Sequence, residues 1–126
     1  MELRGLTDAE LSAFLKMVQE ARFPEVKDDP LVWISPPIIL WHIEAVQEYV
    51  RRMVARGESV RHDRFVESLR WGARPERPGV LRRCRENPAL RNQVVLEGAQ
   101  MVRAILQPFM LDDAEVAQFV AAVATG

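Results

Sequence analysis

The sequence predicts an all-α fold, a compact bundle of five or six helices, on three observations. Apolar residues recur at spacings of three and four along most of the chain. Helix-start signals stand where those runs begin: Thr7 three residues before Glu10, Asn87 directly before Pro88, and Asp112 three residues before Glu115. No stretch alternates apolar and polar residues long enough to make a useful strand. At 126 residues the chain has an ordinary single-domain size, so one folding unit, 1–126, is expected.

The first helix is expected over 7–22, started by the reciprocal Thr7/Glu10 cap and buried through Leu11, Phe14, Leu15 and Val18. Pro24, Asp28, Asp29 and Pro30 break it, and "LVWISPP" reads as an extended apolar link in which Trp33 plugs the core. Pro36 and Pro37 suit a first helical turn, where a missing N–H costs little, so the second helix runs from there to Arg56 and stops at Gly57. Its inward stripe is Ile39, Ile43, Val46, Val50 and Met53 or Val54, with Trp41 and Tyr49 on the flanks. A third helix over 61–71 turns Phe65, Val66 and Leu69 inward and closes at Gly72. The loop 72–79, "GARPERPG", leads to a short fourth helix, "VLRRCREN". A long fifth helix starts at the Asn87–Pro88 cap and continues to about Leu106 on Leu90, Val94, Met101, Val102 and Ile105. The last segment, "LDDAEVAQFV", repeats the pattern of "LTDAELSAFL" near the start; with no second match between them, this is convergent capping of two amphipathic helices rather than a duplication. Trp33, Ile43, Val50, Phe65, Leu69, Val94, Val102 and Phe119 are expected to share one core.

Hydrophobic residues make up 48% and charged residues 28%, the balance of a soluble globular protein. No run approaches the ~20 apolar residues that span a bilayer, and "MELRGLTDAE" lacks a signal-peptide pattern. A cytoplasmic protein with no membrane partner is therefore expected. The single cysteine, Cys84, agrees with a reducing compartment.

The net charge of −1 hides an asymmetry. Residues 51–91 hold twelve arginines against five acids, a surplus of seven positive charges, and the rest of the chain has a surplus of eight negative ones. Lysine occurs only at positions 16 and 27. Guanidinium groups make forked hydrogen bonds to phosphate or carboxylate and stack on flat rings, so clustered arginine suits recognition.

Groups able to do chemistry are few. His42, in "LWHIEAV", reads as a hydrogen-bonded histidine at the boundary of an apolar face, and His62 beside Asp63 as a solvated one. Cys84 lies between two arginines, which would lower a thiol pKa, but it follows Val80 and Leu81 by four and three residues and so belongs to the core. Asp28/Asp29 and Asp112/Asp113 sit in a loop and at a helix start, where acids are routine. No spacing fits a zinc site and no glycine-rich phosphate loop exists. No catalytic residue, metal site or cofactor is expected, and the protein is read as a non-enzyme.

Residues 43–96 lay out as helix, "ARGESV" turn, helix, loop and helix, and "LRRCRENPALRNQV" is similar to the segment of phage small terminase subunits in which a recognition helix ending in "ENP" leads into the next helix. The segment thus resembles a helix-turn-helix core. The resemblance implies that Arg82, Arg83 and Arg85 lie on the helix facing a DNA groove, and that Arg61, Arg64, Arg70 and Arg74 approach phosphates from the preceding helix and loop. Arg77 would bridge the two helices with Arg74. The expected partner is nucleic acid, DNA favoured over RNA. The alternative is a small assembly or adaptor subunit of a phage or ribonucleoprotein complex, its arginines on an acidic protein surface or an RNA backbone. In that reading the acidic remainder of one copy meets the basic segment of the next in a homo-oligomer.

Overall fold

The computed structural model describes residues 2–23 and 34–125. It is all-α, with seven α-helices and no named strand among the described residues. The helices gather into two compact units, Met1–Ser68 and Leu69–Gly126.

The first unit is built on α1 (Asp8–Arg22) and α2 (Pro36–Ala55), packed together, with α3 (Ser59–Ser68) and a 3-10 turn at Leu3–Gly5 against α2. The cap at α1 forms as expected: Thr7 Oγ1 accepts from the Glu10 N–H at 3.2 Å, and Glu10 Oε1 accepts from the Thr7 N–H at 2.8 Å. Leu11, Leu15 and Val18 are buried and Phe14 is half-buried. Gly57, at φ +70, follows the end of α2 in the left-handed conformation that a Cβ disfavours.

The buried face of α2 differs from the expected stripe. His42, Ala45, Val46 and Met53 are buried, whereas Ile39, Ile43 and Val50 are half-buried and Val54 is exposed. The innermost place goes to a polar residue because it has a partner on α1: Arg22, with no exposed surface, lies 2.9 Å through Nη1 from His42 Nδ1. His42 is therefore a core residue rather than a boundary one. Phe65, half-buried, meets Tyr49 at a ring separation of 4.7 Å. The expected plug Trp33 lies outside the described residues.

The second unit opens with Leu69 and a 3-10 turn, Trp71–Ala73, instead of a continuing third helix. Leu69 and Trp71 are tied to Met110 by backbone hydrogen bonds of 2.9 Å each. Then come α4 (Arg77–Glu86), α5 (Pro88–Glu97), α6 (Ala99–Leu106) and α7 (Asp113–Thr125). The loop expected over 72–79 is shorter than expected, since Arg77, Pro78 and Gly79 form the first turn of α4, where a proline is tolerated. The long fifth helix is two helices. Gly98, at φ +58 and ψ −126, leaves helical geometry, closes α5 and opens α6, and only glycine takes that backbone without strain. The final helix carries the second reciprocal cap: Asp112 Oδ1 accepts from the Glu115 N–H and Glu115 Oε1 from the Asp112 N–H.

Trp71 contacts Phe109 and Phe119, with ring centroids 5.9 and 6.2 Å apart, and Val80, Cys84, Val94, Val102 and Leu106 complete the buried interior. The residues expected in the core are assigned as follows. Leu69, Val94, Val102 and Phe119 are buried in the second unit, while Ile43, Val50 and Phe65 belong to the first.

Candidate nucleic-acid interface

The eight arginines singled out from the sequence fall into different local situations. Arg61 and Arg64 lie on α3 of the first unit; Arg70, Arg74, Arg77, Arg82, Arg83 and Arg85 belong to the second. The stretch read as helix-turn-helix, 43–96, thus contains the division at Ser68/Leu69, and residues 69–76 with their 3-10 turn separate α3 from α4.

Several of these side chains already have partners within the fold. Arg61 donates to Glu58 at 2.9 Å. Arg74 forms a fork on Glu76, at 2.9 Å from Nε and 2.6 Å from Nη2, and its guanidinium lies 4.8 Å over the Phe109 ring, so its place is set by packing as well as charge. Arg77 Nη1 donates to the Gly72 carbonyl at 3.2 Å. Arg85 Nε donates to the Ala122 carbonyl at 2.8 Å, and Arg91 Nη2 to the Ala124 carbonyl at 2.6 Å. The last carbonyls of a helix have no partner within it, so these two arginines complete the C-terminus of α7 and oppose the negative end of its dipole.

Of the three arginines expected on the helix facing a groove, Arg83 is turned inward. It stands beside Cys84 on the inward side, 9% exposed, and desolvation with the charge of neighbouring Arg82 pushes its pKa down. Helical geometry makes this unavoidable: with Val80 and Cys84 buried, position 83 is carried inward with them, while 82 and 85 point out. Arg70 is exposed at the start of the unit. Arg64 and Arg82 are exposed and make no hydrogen bond or ion pair with another described residue.

Arginines 51, 52 and 56, which open the basic segment, have a structural task. Arg51 and Arg52 both bind Glu48, and Arg52 reaches on to Asp8 and to the carbonyls of Leu3 and Leu6 at 3.1 and 2.7 Å. Arg56 pairs with Asp8 at 2.8 Å. Hydrogen bonds from Arg56 and Arg52 hold the Asp8 carboxyl below its ordinary range, and the one from Arg51 does the same for Glu48. Local neutralisation of this kind does not show in a count along the chain: the first unit holds nine basic and twelve acidic residues, the second eight and six.

Cys84 has no exposed surface, and burial pushes its thiol up to about 12, which keeps it protonated and unreactive at neutral pH. Among the described residues, no group of three or more His, Cys, Asp or Glu is placed to hold a metal ion, and no helix is long and apolar enough to cross a membrane. Comparison with known proteins returns no family model, no curated protein and no solved structure that matches the chain.

Proposed function

We propose that the protein is a non-enzymatic nucleic-acid-binding protein, with DNA favoured over RNA, whose contact is the exposed side of α4. The observation that carries the reading is Arg82: exposed, without a partner among the described residues, and one helical turn from Arg85 on a ten-residue helix with four arginines and a single acid. An arginine held in place by the fold has a structural reason to exist; Arg82 has none, and a guanidinium in that position is ready for phosphate. The likeness of this helix to the recognition helix of small terminase subunits points the same way. Burial of the Cys84 thiol supports the non-enzymatic part of the reading. The alternative, an assembly subunit joined head to tail by charge, has less support, because Asp8 in the acidic remainder is already held by Arg52 and Arg56 of its own unit.

The test is a binding titration with labelled duplex DNA, single-stranded DNA and RNA at several salt concentrations, beside light scattering. Affinity should fall with salt, and Arg82→Ala should flatten the log–log slope by about 0.9, one phosphate contact, without lowering thermal stability. Absence of binding at low salt together with salt-sensitive self-association would replace this reading with the assembly one.

A further inference from the structure

Beside α4 and α7 lies a cleft of about 590 Å³, within the ~300–1,000 Å³ usual for sites that enclose a small ligand. Its apolar lining is Pro75, Pro78, Leu81 and Ala122 with the nearly buried Trp71 and Phe119 beneath, and Arg74, Arg77, Glu115 and Gln118 are its polar groups. Arg77 and Glu115 are brought near each other by Gly72. Arg77 Nη1 donates to the Gly72 carbonyl, while Glu115 Oε2 stands 3.2 Å from the place a Cβ on Gly72 would take. Arg77 makes no other hydrogen bond to a described residue, so most of its fork is open to a ligand. On Glu115 the capping bond to the Asp112 N–H uses Oε1, and Oε2 remains as an acceptor.

A ligand matched to this set has a flat apolar body, an anionic group and a hydrogen-bond-donating edge. The geometry points to a single unstacked nucleotide of a single-stranded segment as the occupant: its base against the apolar lining, its phosphate on Arg77, and its amino edge at Glu115 Oε2. This rests on the reading of α4 as a nucleic-acid contact and narrows it to strands whose bases are unpaired. Packing of a base on the apolar lining adds to phosphate binding without adding to its salt dependence, and the Glu115 acceptor favours bases with an amino group.

The test compares a short single-stranded oligodeoxynucleotide with an abasic strand of the same length and phosphate count, each labelled and titrated by fluorescence anisotropy. The base-bearing strand should bind on the order of tenfold more tightly. Two substitutions fill the cleft, Ala122→Phe from its half-buried wall and Gln118→Trp from an exposed position, the second being the one that disturbs packing least. In either, if it keeps the helical melting curve of the unsubstituted protein, the advantage of the base-bearing strand should collapse toward one with the salt slope retained. Arg82→Ala should do the reverse, flattening the slope and keeping the advantage. Equal affinity for the two strands, or an advantage that survives both fillings, overturns the cleft and leaves the α4 contact standing. Failure of the unsubstituted protein to bind either strand at low salt overturns both.

Discussion

Cys84 and His42 show how the surroundings of a side chain decide what its chemistry amounts to. Burial pushes the folded thiol up to about 12 from its ordinary value near 9. Its contribution to stability is then fully present below pH 9 and lost as pH rises from 9 toward 12, because the unfolded chain gives up the proton first. Urea denaturation should therefore show stability falling over that window, less steeply in Cys84→Ala, and a thiol reagent should label the folded protein slowly at neutral pH. His42 is constrained differently. A guanidinium only donates, so Nδ1 facing Arg22 accepts and the ring proton resides on Nε2. The inward position of Cys84 was legible from its spacing to Val80 and Leu81. That of His42 was not, since the residue that makes its burial tolerable lies twenty positions away on another helix.

At the scale of elements, what could be read from the sequence is what is encoded locally. Thr7 with Glu10 and Asp112 with Glu115 make their reciprocal caps as their spacing requires, and Asn87 Oδ1 accepts from the Leu90 N–H at the start of α5. Thr7→Ala should lower stability by about 0.5–2 kcal/mol in chemical denaturation, with Thr7→Ser close to the unsubstituted protein. At Gly98 the sequence is compatible with an unbroken helix, because one glycine inside a periodic apolar run costs only ~1 kcal/mol. Val94, Val102 and Ile105 are buried whether or not the axis bends there, so the pattern alone could not reveal the break. Trp71 is ambiguous for a related reason. Read as the last residue of a helix, it is instead the start of a separate turn, fixed by long-range hydrogen bonding to Met110. The cleft it lines was invisible in consequence, whereas Arg82 belongs to a clustered set of arginines on a helix that resembles a recognition helix.

For the whole molecule, a basic segment in the chain is not the same as a basic surface. The twelve arginines of 51–91 are divided between two units, and those at 51, 52, 56, 61 and 74 are neutralised by nearby carboxylates. In the second unit, Arg77, Arg82 and Arg85 stand at exposed positions on α4. Several arginines fill places that lysine could not: Arg52 serves Glu48, Asp8 and three carbonyls at once, Arg103 serves the Leu111 carbonyl and Asp113, and Arg85 closes the end of α7. A compact ammonium on a single stem cannot reach such divergent acceptors together. Recoding Arg52, Arg85 and Arg103 as lysine would leave the isoelectric point almost untouched and should lower the melting temperature by several degrees, whereas the same change at Arg64 and Arg82 should leave it where it was. The alphabet of this chain is thus degenerate for charge and strict for geometry: two proteins that migrate alike in an electric field would differ in whether they hold their shape.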